Sequence, residues 1–161
     1  GSPTVTAVTI GGISATIVDQ NISAAAGVGT CIAYAIVPTG TSVDVVCTFS
    51  SAVAAGRIKL TEIKNYTSIT PVSSAKDSGA KTALSLVVNM PSGSSAVGVA
   101  VDNTAGTTTF PLVGASGTSY GNPGTIDVSS FSYQATDSEP SHTIGITTST
   151  ANSAAIAAVW R

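Results

Sequence analysis

Residues 30–49, TCIAYAIVPTGTSVDVVCTF, decide how the chain is read. Segments 30–37 and 41–49 are both rich in Val, Ile, Thr, Tyr and Phe, side chains that fit a pleated, half-buried surface. Pro38-Thr39-Gly40 between them suits a three-residue hairpin loop, a type I turn closed by a left-handed glycine. With Val37 facing Thr41, Cys31 falls opposite Cys47. Ala33, Ala35, Val37, Val43, Val45 and Phe49 then share one face, the expected core face. The other face, which includes Ile32, Tyr34, Asp44 and Thr48, is mixed. The hairpin predicts a β protein.

The composition agrees. Charged residues are 9% of the 161, against about 25% in an average soluble domain. Hydrophobic content is 43%, much of it alanine, and aromatics are 5%. Helical bundles need Glu, Lys, Arg and Leu for ion pairs and amphipathic stripes, and this chain is short of them. A net charge of −2 with six Lys and Arg removes the electrostatic case for nucleic acid, although Arg57, Lys59 and Lys64 cluster. No apolar run approaches the roughly 18 residues of a membrane helix, so no membrane insertion is expected. Gly1-Ser2 reads as an expression-tag remnant, and residues 1–161 as one domain.

Along the chain, residues 4–10 alternate as a strand, Gly11-Gly12 turns, and 13–18 form its partner. Residues 19–29 read as a connection and 50–56 as a small-residue corner. Residues 57–66 (RIKLTEIKNY) read as a strand, with Ile58 and Leu60 on one side and Arg57, Lys59 and Thr61 on the other. Residues 67–80 read as a polar loop. Strand 83–90 puts Leu84, Leu86, Val88 and Met90 on one face. Pro91-Ser92-Gly93-Ser94 then returns it antiparallel to 96–102, where Val97, Val99 and Val101 lie opposite Ala and Gly. A short strand at 107–112 precedes an exposed glycine loop at 114–124. Strand 126–134 is expected to pair with 142–148, and 154–160 to close the domain. About ten short strands separated by Gly, Pro and Ser turns predict an all-β, antiparallel two-sheet sandwich of jelly-roll type.

No catalytic, cofactor or metal site is expected. Gly117-Thr118-Ser119-Tyr120-Gly121 matches G-x-S-x-G, but that motif needs a strand before the serine and a helix after it. Ser73-Ser74-Ala75-Lys76 matches S-x-x-K without partner motifs. His142, the only histidine, starts a strand beside Asp137 and Glu139 and reads as a surface residue at a turn. Two thiols and a distant histidine make no metal ligand set. The cysteine pair reads either as a Cys31–Cys47 disulfide or as two small buried hydrophobes. A candidate ligand loop comprises Tyr120, Asn122, Asp137, Glu139 and His142, with Tyr120 able to stack on a sugar ring.

Three segments carry a family resemblance: VDVVCTFSSAVAAGRIKLTEIKNYTS (43–68), LSLVVNMPSGSSAVGVAV (84–101) and AAIAAVW (154–160). Together they resemble β-sandwich structural proteins of tailed bacteriophages and prophages. In those, a strand ending in TFS leads to one like IKLTEI, and an alanine-rich strand ending in Trp closes the chain. The resemblance spans about residues 30 to 160 and implies a noncatalytic virion component: a capsid decoration, fibre or tail-associated domain. It implies other virion subunits as partners, homo-oligomeric assembly, and location in the extracellular particle. The alternative expectation is a carbohydrate- or host-receptor-binding module that takes a surface glycan. A bacterial cell-surface or secreted adhesin shares the composition.

Overall fold

Leu84, Leu86, Val88 and Met90 recur every second residue, and in a strand that spacing sends all four side chains to one side. The computed structural model, which describes residues 2–24, 27–38, 42–103, 116–122, 126–148 and 152–161, bears this out. These four are 2%, 0%, 1% and 0% exposed, while their neighbours in the strand face solvent. Burying each contributes about 1.5–3 kcal/mol. The described residues form twelve strands and no helix.

Five strands make the larger sheet, in the order β6 (Ser73–Gly79), β12 (Ser153–Trp160), β8 (Ser95–Asp102), β10 (Ile126–Gln134) and β9 (Ser116–Asn122). Its front face packs on a second antiparallel pair, β7 (Ala83–Met90) and β11 (Glu139–Thr147). The chain is thus an all-β antiparallel sandwich. This connectivity does not establish a jelly-roll order. Ala155, Ala157 and Val159 of β12 join Ala96, Ala100 and Phe131 against the Leu84–Met90 face and Ile144 and Ile146 of β11.

The back of the larger sheet is covered by β3 (Thr16–Ser23) and β4 (Val28–Tyr34), an antiparallel hairpin. Val28 packs there on Val101 and Ala154, and Tyr34 meets Trp160 edge-on with ring centroids 5.9 Å apart. Every residue of β12 is therefore buried, which explains its run of alanines: both faces meet another layer. A third sheet joins β1 (Val5–Ile10), β2 (Ile13–Ser14) and β5 (Val45–Phe49) in the order β2-β1-β5. The predicted Gly-Gly turn is present. Ile10 pairs with Ile13, and Gly11 and Gly12 have φ of +61° and +78°, the double left-handed conformation of a two-residue hairpin.

The central hairpin is not formed. Strand β4 pairs with β3, and β5 pairs with β1, so Cys31 faces Gln20 and Cys47 faces Val8. A tight turn, closed by the Gly27 amide donating to the Ser23 carbonyl at 2.9 Å, extends β3 through residues first read as a connection. Once β3 exists, β4 has a nearer partner than β5. Thr39, Gly40 and Thr41 of the expected loop lie outside the described residues, as does the expected strand 107–112.

Two more expected hairpins are crossings between layers. Strands β7 and β8 lie in facing sheets, and so do β10 and β11. The two corners bond to each other: the Gly93 amide donates to the Ala135 carbonyl at 2.9 Å, and the Ala135 amide to the Ser94 carbonyl at 2.9 Å. Packing decides this arrangement, because pairing β7 with β8 would place the Leu84–Met90 face beside Ala96 and Ala100, where the core needs it in front of them. Residues 73–79, expected as loop, form the polar edge strand β6, and 116–122, also expected as loop, form the opposite edge β9. Polar and charged residues suit an edge, where one backbone side meets water. Residues 57–66, expected as a strand, form none.

Candidate functional site

Tyr133 lies two residues beyond Phe131 on β10, so the two share a side of the strand near the corner where the chain crosses to β11. A bulge between Glu139 and His142 interrupts the pairing of β11 with β7. The Tyr133 hydroxyl donates to Glu139 Oε1 at 2.9 Å, and His142 Nδ1 bonds Glu139 Oε2. The phenol and imidazole rings stack, with centroids 4.8 Å apart and planes 12° from parallel. The Tyr133 hydroxyl, and after it His142, hold the Glu139 carboxyl below the usual range. The same bond from Glu139, with burial and the nearby negative charge adding to it, pushes the Tyr133 phenol up.

Of the candidate ligand residues, the structure thus unites Glu139 and His142 and leaves Asp137 exposed, within 3.5 Å of the Thr136 hydroxyl. The side chains of Tyr120 and Asn122 lie outside the described residues; their backbones belong to β9. Tyr133 escaped sequence reading, although its two-residue spacing from Phe131 marked it as inward-facing beside the acidic corner. Both Glu139 oxygens are engaged within the cluster, and His142 Nε2 is buried with no hydrogen-bond partner among the described residues. A serine nucleophile would have to stand at that nitrogen. The cluster is an internal latch across the corner joining the two sheets.

The matched motifs sit in strands. Gly117–Gly121 runs through β9 with Ser119 opposite Ser129, so no strand-to-helix elbow forms. Ser73 and Lys76 lie on β6. The Ser73 hydroxyl accepts from the Asn89 amide at 3.0 Å, and Lys76 Nζ reaches Asp19 Oδ1 at 2.7 Å. Among the described residues, no group of three or more His, Cys, Asp and Glu is placed to hold a metal, and no helix is long and apolar enough to cross a membrane.

Cys31 and Cys47 are free thiols. Burial, the neighbouring Cys47 and Asp19 push the Cys31 thiol up to about 11, and burial raises Cys47 as well. The two cysteines lie on strands of different sheets and do not face each other in the hairpin register that the sequence predicts.

The largest departure from an ordinary domain surface lies between β5 and β6. Residues 50–72 contain no helix or strand, and connections longer than about 12–15 residues without secondary structure are uncommon outside functional segments. Ile58 is 60% exposed, Leu60 51% and Ile69 54%, and on neighbouring β5 Val46 is 57% exposed. The segment is fastened at its far end. The Thr67 and Ser68 amides both donate to the Arg161 carbonyl, the latter at 2.8 Å. A depression of 430 Å³ lies where residues 70–74 approach Tyr34 and residues 16–18.

No family model matches the chain, and no curated protein or solved structure matches it.

Proposed function

We propose that this chain is a noncatalytic building block of a phage particle, working by protein–protein assembly with neighbouring subunits. The observation that carries this reading is the exposed aliphatic surface of β5 and residues 53–69, with Val46, Ile58, Leu60 and Ile69 each more than half exposed. Exposed aliphatic side chains concentrated in one strand and the segment that follows it suit an interface. Low charge density supports the reading too, because closely packed copies repel one another weakly. The carbohydrate- or receptor-binding alternative would draw on the β10–β11 corner. There the Glu139 oxygens and the stacked Tyr133 and His142 rings are occupied with one another.

The test is co-sedimentation. Particles induced from a strain carrying the gene are banded on a density gradient, and their proteins are identified by mass spectrometry. The chain is expected in the particle band at a stoichiometry of many copies. Its presence only in the soluble fraction would overturn the assignment.

A further inference from the structure

Residues 57–61 carry the period-2 pattern of a half-buried strand, Ile58 and Leu60 alternating with Arg57, Lys59 and Thr61. No strand pairs with the segment among the described residues, and Ile58 and Leu60 are 60% and 51% exposed. Nearby, Glu62 and Lys64 form an ion pair at 3.3 Å. Residues two apart share a side of an extended chain and not of a helix. The segment thus has the alternation of a strand without a sheet to join.

Charge identifies what completes it. Residues 53–63 hold two of the chain's six Lys and Arg and one of its eight acids. The remainder carries four cations against seven acids, so a segment of opposite sign sits in an acidic chain. Arg57 and Lys59 make no ion pair among the described residues. Another copy of the chain offers both the opposite charge and an edge that is open among the described residues. Strand β5 is outermost in β2-β1-β5, Val46 and Phe49 on it are exposed, and Asp44 just before it is exposed.

We infer that residues 53–63 form an exchange arm that adds as a strand to a free sheet edge of a second copy of this chain, β5 being the edge best matched to it. This rests on the building-block reading and names its contact. Backbone hydrogen bonds to the edge would supply the pairing. Ile58 and Leu60 would lose their water, and Arg57 and Lys59 would meet Asp44 beside that edge. Eleven extended residues reach about 36 Å, enough to run the length of any strand in the fold.

The test combines mass with hydrogen exchange on the full chain. By light scattering the wild type is expected to be a dimer or larger. Its 53–63 amides should be protected at least about tenfold relative to the double variant Ile58→Asp/Leu60→Asp. That variant should be a monomer with unchanged circular dichroism, since both positions are exposed in the single chain. A second variant, Arg57→Glu/Lys59→Glu, should weaken association about tenfold at low salt, and the difference should shrink as salt is raised. An oligomer that survives both substitutions, or whose 53–63 amides exchange freely, overturns the arm and leaves the building-block reading standing. A wild type that is monomeric at every concentration overturns a second copy as the occupant. Co-sedimentation with particles then decides the broader reading independently.

Discussion

Gly98 and Phe131 are cross-strand partners on β8 and β10, and the phenyl ring lies where a side chain at position 98 would stand. A Cβ there would meet Phe131 Cε1 at 2.2 Å and the Ile156 carbonyl oxygen at 2.8 Å. Glycine is required by space, since no left-handed φ is recorded at this position. Gly98→Ala is therefore expected to destabilise the fold by about 3 kcal/mol, the upper part of the overpacking range. Urea denaturation measures it. Adding Phe131→Leu should recover part of the loss, and a double variant no better than Gly98→Ala would put the clash on the Ile156 carbonyl instead.

The same strand shows how far the sequence could be read. Alternation in 95–102 was plain, but the fully buried side is Ala96, Gly98 and Ala100, while Val97 and Val99 are only partly buried. Small residues face the core because Phe131 and the β7 leucines fill the space in front of them. Period is a local property and could be read; the size of the facing side chain is not local. Partner choice failed for the same reason. The turn chemistry at Gly11-Gly12 fixed a hairpin that exists, whereas Pro38-Thr39-Gly40 pointed to one that longer-range pairing with β1 and β3 replaced. At the β10–β11 corner, Glu139 and His142 stood out as polar residues near a turn. Tyr133 joined them only through a layer crossing that no local pattern encodes.

Asn21 is the polar tie between the back hairpin and the central sheet. Its Nδ2 donates to the Asp77 carbonyl at 2.6 Å and to the Ala155 carbonyl at 2.9 Å, and the residue is 8% exposed. Asn21→Ala should cost about 1–3 kcal/mol, because two buried bonds are lost together. Asn21→Asp should cost more, and more at neutral than at acid pH, since a carboxylate would face two carbonyl oxygens. Denaturation curves at the two pH values measure the difference; equal losses would mean that water reaches the site.

Cys31 and Cys47 should be slow to alkylate. With the Cys31 thiol raised to about 11 by burial, then by Cys47 and Asp19, its thiolate is scarce at neutral pH, and the thiolate is the nucleophile. The iodoacetamide rate at Cys31, followed by mass spectrometry, should keep climbing beyond pH 9, where an ordinary thiol levels off. Cys47→Ser should shift the Cys31 profile to lower pH by removing one neighbouring negative charge. An unmoved profile would place the two thiols too far apart to interact.

Asp77 supplies an acid-sensitive tie between β6 and β7. Burial alone would raise its carboxyl, but Lys81 Nζ at 2.6 and 2.8 Å and the Ser85 amide at 2.9 Å outweigh burial and hold it below its ordinary value. A carboxyl depressed in the folded state binds its proton more readily once unfolded. Its stabilisation is therefore complete above the unfolded value of about 3.9 and is lost as pH falls through the lower folded value. The Lys81 side chain is 46% exposed, so solvent screens the pair and the effect is about 1 kcal/mol or less. Asp77→Asn should lower stability near neutrality, and the loss should shrink as pH falls below about 3.9 and the wild-type carboxyl takes up its proton. Glu139 is depressed as well and titrates with the same sign, so the difference between wild type and Asp77→Asn isolates Asp77 from it. Thermal melts from about pH 6 down to about pH 2 read that difference. A gap that stays constant across the range would mean the asparagine loses shape or packing and not charge. Lys81→Met should reproduce the pH dependence in weaker form, because the Ser85 amide still bonds the carboxylate.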